Sequence, residues 1–243
     1  MKKIFTVILL AAVMVLCCLP LTGCRYLAWK MSDHEADGFI YELDRDNNAK
    51  IKGLADPKKE VDVLVIPQKL DSYPVTTLGV ITSVWGASDS YHGLDARNVK
   101  RIVINHELYF NKECAIQNFT GELTINVNSL RGFGEYHNNE YCDSFLPSRV
   151  MINSNNQDLY AHFWAYVNYK SSVRYYLVYF YAREDEPVFC QLVRENGTTV
   201  EPDLPLKEDP TFKGWYTEDG ERWNFQTVVT ERAYLYAKWD KRT

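Results

Sequence analysis

Apolar positions along this chain change their spacing several times, and each change marks a new element. An apolar run from Ile4 to Leu19 comes first. Nothing periodic follows until Gly38, where Phe39, Tyr41 and Leu43 begin to alternate with Ile40 and Glu42. The polar run Asp44-Arg45-Asp46-Asn47-Asn48 interrupts, and Ala49, Ile51 and Leu54 resume the pattern. That order predicts a hairpin with Asn47-Asn48 near its tip. A short motif then recurs: any residue, an apolar one, any residue, Ile, then Pro or Asn. It is filled by Val63-Leu64-Val65-Ile66-Pro67, Arg101-Ile102-Val103-Ile104-Asn105, Glu122-Leu123-Thr124-Ile125-Asn126 and Arg149-Val150-Met151-Ile152-Asn153. The four Ile residues are 38, 21 and 27 positions apart. Copies of one short strand at such intervals predict stacked coils, with the second and fourth positions turned inward.

Between Gln157 and Asn168 the spacing becomes helical, with Leu159, Phe163 and Val167 on one face and Tyr160 and Trp164 beside them. The dense apolar stretch Val173 to Tyr181 reads as a strand. Helix and strand together are expected to cap the last coil, which otherwise leaves its core open. The charged run Ala182 to Pro187 then marks a boundary. Beyond it come a strand at Val188 to Val193, a turn at Asn196-Gly197, and three aromatic clusters ending in Tyr234-Leu235-Tyr236-Ala237-Lys238-Trp239.

The N-terminus sets the compartment. Lys2 and Lys3 precede the apolar run, and Leu21-Thr22-Gly23-Cys24 closes it. Basic start, short apolar core and small residues in that order are the layout of a secretory signal. The run is also short for a membrane span. The tetrad resembles the bacterial lipobox, which implies cleavage after Gly23 and a diacylglycerol on the Cys24 thiol. Residues 1–23 would then be signal peptide, and 24–37 a tether. Losing Lys2 and Lys3 moves the formal charge from −5 to −7. Such a body gains nothing from anionic lipid, so acyl chains must hold it.

Two further resemblances organise the rest. Ile66-Pro67 followed by Tyr73-Pro74-Val75-Thr76-Thr77-Leu78-Gly79 is similar to the BspA-type leucine-rich repeats of bacterial surface proteins. The later copies lack that family's Ala-Phe pair and carry Asn where Pro is common. Phe212-Lys213-Gly214-Trp215-Tyr216-Thr217, then Trp223-Asn224-Phe225, then Leu235-Tyr236-Ala237-Lys238-Trp239 resembles the Listeria–Bacteroides repeat, also called the internalin B-repeat. The fold class expected is mainly β with minor α: a short leucine-rich-repeat solenoid with a helical cap over 38–182, followed by a small β-grasp-like module over 188–240. In that module Phe189, Phe212, Trp215, Tyr216, Trp223, Phe225, Tyr234, Tyr236 and Trp239 are expected to build the core.

Composition and charge narrow the function. With 46% hydrophobic residues the chain is neither disordered nor a polytopic membrane protein, and a net charge of −5 gives no basic field for nucleic acid. Of six cysteines, Cys114, Cys142 and Cys190 follow the anchor; a Cys114–Cys142 bridge is open, as are three buried thiols. His34-Glu35-Ala36-Asp37-Gly38 lacks the second His of a zinc-protease helix, and Asp44, Asp46 and Asn48 start a calcium-loop spacing that Ala49 and Ala55 break. Nothing places Glu135, Glu140 and Asp143 as a catalytic pair. No enzyme, metal or cofactor is therefore expected. The expected function is a non-enzymatic, lipid-anchored bacterial cell-surface protein that displays its modules for adhesion or protein binding. The alternative is a surface polysaccharide-binding protein or hydrolase using a Tyr-rich cap. Tyr160, Trp164, Tyr166 and Tyr169 are the candidate contacts for a protein or glycan ligand, with cap packing as the competing role for these rings.

Overall fold

The computed structural model describes residues 32–82, 90–111, 115–132, 145–169, 173–182, 187–202 and 211–240. The signal segment, Cys24, Cys114, Cys142, Glu135, Glu140 and Asp143 lie outside these residues. The first half contains strands β1 (His34–Ala36), β2 (Phe39–Leu43), β3 (Ala49–Leu54), β4 (Val61–Val65), β5 (Lys69–Leu70), β6 (Tyr73–Leu78), β7 (Val80–Thr82), β8 (Ser90–His92) and β9 (Leu94–Asp95). Next come β10 (Val99–Ile104), β11 (Tyr109–Phe110), β12 (Ile116–Gln117), β13 (Glu122–Ile125) and β14 (Arg149–Ile152). Helix α1 (Gln157–Tyr169) follows, then β15 (Tyr175–Tyr181), β16 (Pro187–Arg194), β17 (Phe212–Tyr216) and β18 (Ala233–Trp239). The protein is mainly β, as its alternating pattern predicts.

The four motif copies are β4, β10, β13 and β14, and they lie side by side, parallel and in register. Leu64, Ile102, Leu123 and Val150 form one row across the ladder, and Ile104, Ile125 and Ile152 form the next. Every member from Ile102 onward is 0% exposed, so the second and fourth positions do point inward. Opposite them β3, β6 and β11 stack in parallel, and β9 and β12 form a third short parallel row. The successive turns thus bury one continuous core, which includes Phe110, Phe119 and Phe145. No single turn could enclose that much apolar surface.

Asparagine replaces proline after the Ile for a physical reason. Asn126 donates from its side chain to Asn105 Oδ1 at 2.6 Å, and Asn153 does the same to Asn126. The ladder of amides satisfies itself from turn to turn, a role proline has no N–H to play. Close stacking also fixes Gly121, where a Cβ would sit 2.2 Å from the Lys100 carbonyl oxygen.

At the N-terminal end the hairpin β2–β3 forms as predicted. Asn47 adopts a φ of 62°, and Asp44 Oδ1 accepts from the N–H groups of Asp46 and Asn48. Residues 34–36 of the span expected as a tether form β1, which pairs antiparallel with β2. Asp37 (φ 51°) and Gly38 (φ 82°) make the turn between them. An Asp-Gly pair is the standard signal for such a turn, and it lies at the start of the alternating segment.

Helix α1 starts at an Asn156 cap, whose Oδ1 accepts from the Asp158 N–H at 3.0 Å. Leu159, Phe163 and Val167 face the core and are buried. The boundary expected at 182–187 does not divide two sheets. A single sheet runs β17-β18-β15-β16-β14-β13-β10-β4. Strand β16 pairs antiparallel with both β14 and β15, and β15 pairs parallel with β18. Cys190 and Leu192 of β16 enter the first core, while Phe189 and Val193 enter a second with Val178, Phe180, Trp215, Val229 and Leu235. Gln191, also buried, is satisfied twice by Val200, donating to its carbonyl at 2.6 Å and accepting from its N–H at 3.0 Å.

Ile125 is the central rung of the inner row. Ile125→Ala should destabilise the chain by about 2–5 kcal/mol, the usual cost of such a cavity. Val63→Ala, at a site 51% exposed on the outer face, should cost less than about 1 kcal/mol. Urea unfolding followed by fluorescence checks both.

Candidate interaction surface

Strand β15 is apolar on both faces. Val178 and Phe180 point into the second core; Tyr175 and Leu177 point into the first, beneath α1. The helix covers only part of that face. Tyr160 of α1 meets Tyr179 edge-on, with centroids 5.8 Å apart, and beyond this contact Tyr181, Tyr234 and Tyr236 are only partly buried.

On the open part, four tyrosines from two parallel strands form paired stacks. Tyr179 lies beside Tyr234 in the register, and Tyr181 beside Tyr236. The first pair stacks at 5.4 Å with an interplanar angle of 8°, the second at 5.1 Å and 22°. Nearly parallel rings this close are offset-stacked, since rings lying side by side in one plane would collide. Tyr234 is exposed, and Tyr179, Tyr181 and Tyr236 are partly exposed. Tyr216 of β17 continues the row, opposite Tyr236, and Lys238 Nζ lies 4.2 Å above its ring. Burial pushes the Tyr179 phenol up to about 12 and raises Tyr181 as well. Both hydroxyls stay protonated at any ordinary pH and can donate as well as accept.

An open groove of about 470 Å³ adjoins this surface. Trp164, Asn168, Arg174, Tyr176 and Arg232 are among the residues that line it. Trp164 donates from Nε1 to the Tyr175 carbonyl at 3.0 Å, and Asn168 Oδ1 accepts from the Tyr175 N–H at 2.9 Å. These bonds fix the indole at the rim with 39% of its surface exposed. Arg232 precedes β18 and reaches the Tyr234 hydroxyl, which raises the guanidinium's pKa. The groove and the tyrosines thus join through Arg232.

The ring positions expected from sequence divide sharply. Trp164 is at the groove. Tyr160 is 0% exposed and donates its hydroxyl to the Ser154 carbonyl, so it packs in the core. Tyr166 is half-buried among Phe110, Phe145 and Phe163. Packing decides both: they share the helix face that closes the core. The side chain of Tyr169 lies outside the described residues, as does Cys24. Tyr179, Tyr181, Tyr234 and Tyr236 are the positions missed. Tyr216, Tyr234 and Tyr236 were expected as core, yet only Phe189 and Trp215 of the nine rings assigned there are fully buried. Phe212, Trp223 and Phe225 pack partly against that core, and Trp239 is 37% exposed. The signal was present as Tyr-x-Tyr in Tyr179-Phe180-Tyr181 and Tyr234-Leu235-Tyr236, where the middle residue is the buried one.

Comparison with known proteins bears on this region. The family model of the Listeria-Bacteroides repeat domain matches residues 176–238. It begins inside β15, ahead of the start at 188 expected from sequence, and it includes both strands that carry the tyrosine stacks. The chain is also 48% identical over 50 residues to a protein of Evansella cellulosilytica whose name describes a Gly-rich membrane protein. That match takes in 19% of this chain and 6% of the relative, so the chain spans a small part of the relative's length. No solved structure matches. Among the described residues, no helix is long and apolar enough to cross a membrane.

Burial separates the roles of the tyrosines. Tyr160→Ala should cost about 3–5 kcal/mol, as for other enclosed rings. Tyr234→Ala, at a site 38% exposed, should cost no more than about 1.5 kcal/mol from its lost ring contact. Denaturant midpoints of the two variants give the comparison.

Proposed function

We propose that this chain is a non-enzymatic bacterial surface protein, held to the membrane by a lipid on Cys24, that binds a protein ligand on its stacked tyrosines. The parallel ladder with one strand per turn supports reading residues 38–152 as a leucine-rich-repeat solenoid of the BspA type. The order β16-β15-β18-β17, with two parallel strands at the centre and an antiparallel partner on each side, supports a β-grasp-like module that starts at β15. The match to the Listeria–Bacteroides repeat and the membrane-protein name of the partial relative are in keeping with display outside the cell. Leu21-Thr22-Gly23-Cys24 supports the lipid anchor.

One observation carries the choice of ligand class. A sugar stacks on the open face of an aromatic ring, and here each tyrosine turns one face to its stacking partner. Ring edges and hydroxyls on a rigid sheet are instead what a protein partner uses, because tyrosine gives contact area and hydrogen bonds at small entropic cost. The polysaccharide reading keeps Trp164 as its support, a single exposed indole beside a groove.

Two measurements test this reading. In a bacterial host the chain should sediment with membranes and yield an N-terminal Cys24 carrying a diacylglycerol mass, and Cys24→Ser should release it. An unmodified Cys24 in the mature chain contradicts the anchor. A photo-crosslinking phenylalanine in place of Tyr236 should form a discrete protein adduct on intact cells, lost on adding Tyr181→Ala and Tyr234→Ala. An adduct that survives those changes, or that forms only with glycan, contradicts the site.

A further inference from the structure

The cations around the tyrosine surface differ from those on the outer face of the ladder. On the outer face of the ladder cations are matched: Glu122 bridges Arg101 at 2.7 Å and Arg149 at 2.8 Å, and Lys100 meets Asp62 at 2.8 Å. Arg97 pairs with Asp95 and Lys213 with Asp240 in the same way. Arg174 and Arg232 have no carboxylate partner among the described residues, although both line one groove. Among the described residues, no acidic side chain lines it with them. Glu195 and Glu231 stand next to the groove in the chain but neither lines it. Lys238, at the far end of the tyrosine row, lies over the Tyr216 ring and donates to the Gly220 carbonyl at 3.4 Å, with no carboxylate in ion-pair range among the described residues.

Both guanidiniums are exposed, so their donors are open to an anionic occupant of the groove. The geometry also gives the occupant a direction. Alternation along β18 puts Arg232, Tyr234, Tyr236 and Lys238 in that order on one face, with Tyr179 and Tyr181 beside the two tyrosines in the register. Six steps of an extended strand are about 20 Å, the length of a six-residue extended peptide.

From this we propose that the protein ligand docks through an acidic, extended peptide segment. Its carboxylates are held by Arg174 and Arg232 at one end and Lys238 at the other, and its backbone crosses the stacked tyrosines between them. The proposal rests on the protein-binding reading above and specifies the chemistry of the partner. It also accounts for local basicity on a chain whose net charge is −5: the acid needed at this surface comes from the partner.

The test uses the full chain in detergent and fluorescein-labelled hexaglutamate, with hexaglutamine, an oligogalacturonate and inorganic phosphate in parallel arms, read by fluorescence anisotropy. Hexaglutamate should bind, weaken at least tenfold in Arg174→Gln/Arg232→Gln, and weaken with rising salt. Arg222→Gln, which alters an exposed arginine of another groove, should change affinity less than twofold. Thermal melts of each variant separate lost binding from lost fold. The proposal is overturned if hexaglutamine binds as well as hexaglutamate or if the double variant, folded, binds unchanged. Oligogalacturonate or phosphate binding at the arginines without hexaglutamate binding overturns it too. The crosslinked adduct at Tyr236 reports separately: if it persists in Arg174→Gln/Arg232→Gln, protein binding stands and the acidic segment does not.

Discussion

A ladder of parallel strands has two edges, and each edge offers a row of N–H and C=O groups to whatever strand comes next. In this protein the C-terminal edge at β14 is closed by β16, and the rest of the structure depends on that pairing. Arg149 to Ile152 of β14 lie opposite Val193 to Cys190 of β16, antiparallel, so the direction of the ladder reverses there. Because strand side chains alternate, one strand then serves two cores: Cys190 and Leu192 complete the first, Phe189 and Val193 begin the second. Arg149 adds a second tie, donating to the Thr198 carbonyl beyond β16 while it pairs with Glu122 within the ladder.

This shared strand is also why an aromatic surface stays exposed. β15 hangs from β16, and α1 has to close the core over the ladder and the start of β15. The helix ends its coverage near Tyr179, and β18, added on the far side of β15, lies past its reach. The tyrosines of β15 and β18 are left on the first core's face of the sheet, beyond the helix and only partly buried among the described residues. There they stack in pairs.

Most of the ladder was legible in the sequence because its signal is local and repeated. Ile66, Ile104, Ile125 and Ile152 mark one register position each, and α1 is plain from Leu159, Phe163 and Val167. The Listeria–Bacteroides repeat was legible from its aromatic order. Two things were not. β15 is apolar at every position, so alternation could not say that it has a core on each face or which neighbours it pairs with. Tyr234 and Tyr236 read as core because small modules need bulky rings, yet Leu235 between them is the residue that faces inward. Which parity of a strand is buried depends on what lies above it, and α1 is supplied by sequence more than sixty positions away.

The central claim is that β14 and β16 form one cooperative unit, so that the ladder and the C-terminal module stand or fall together. Native-state amide hydrogen exchange across the full chain tests this most directly. The account predicts that the β14 and β16 amides share one opening free energy and lose protection together as denaturant rises. Protection that persists in β10, β13 and β14 after β15 to β18 have fully exchanged would contradict it.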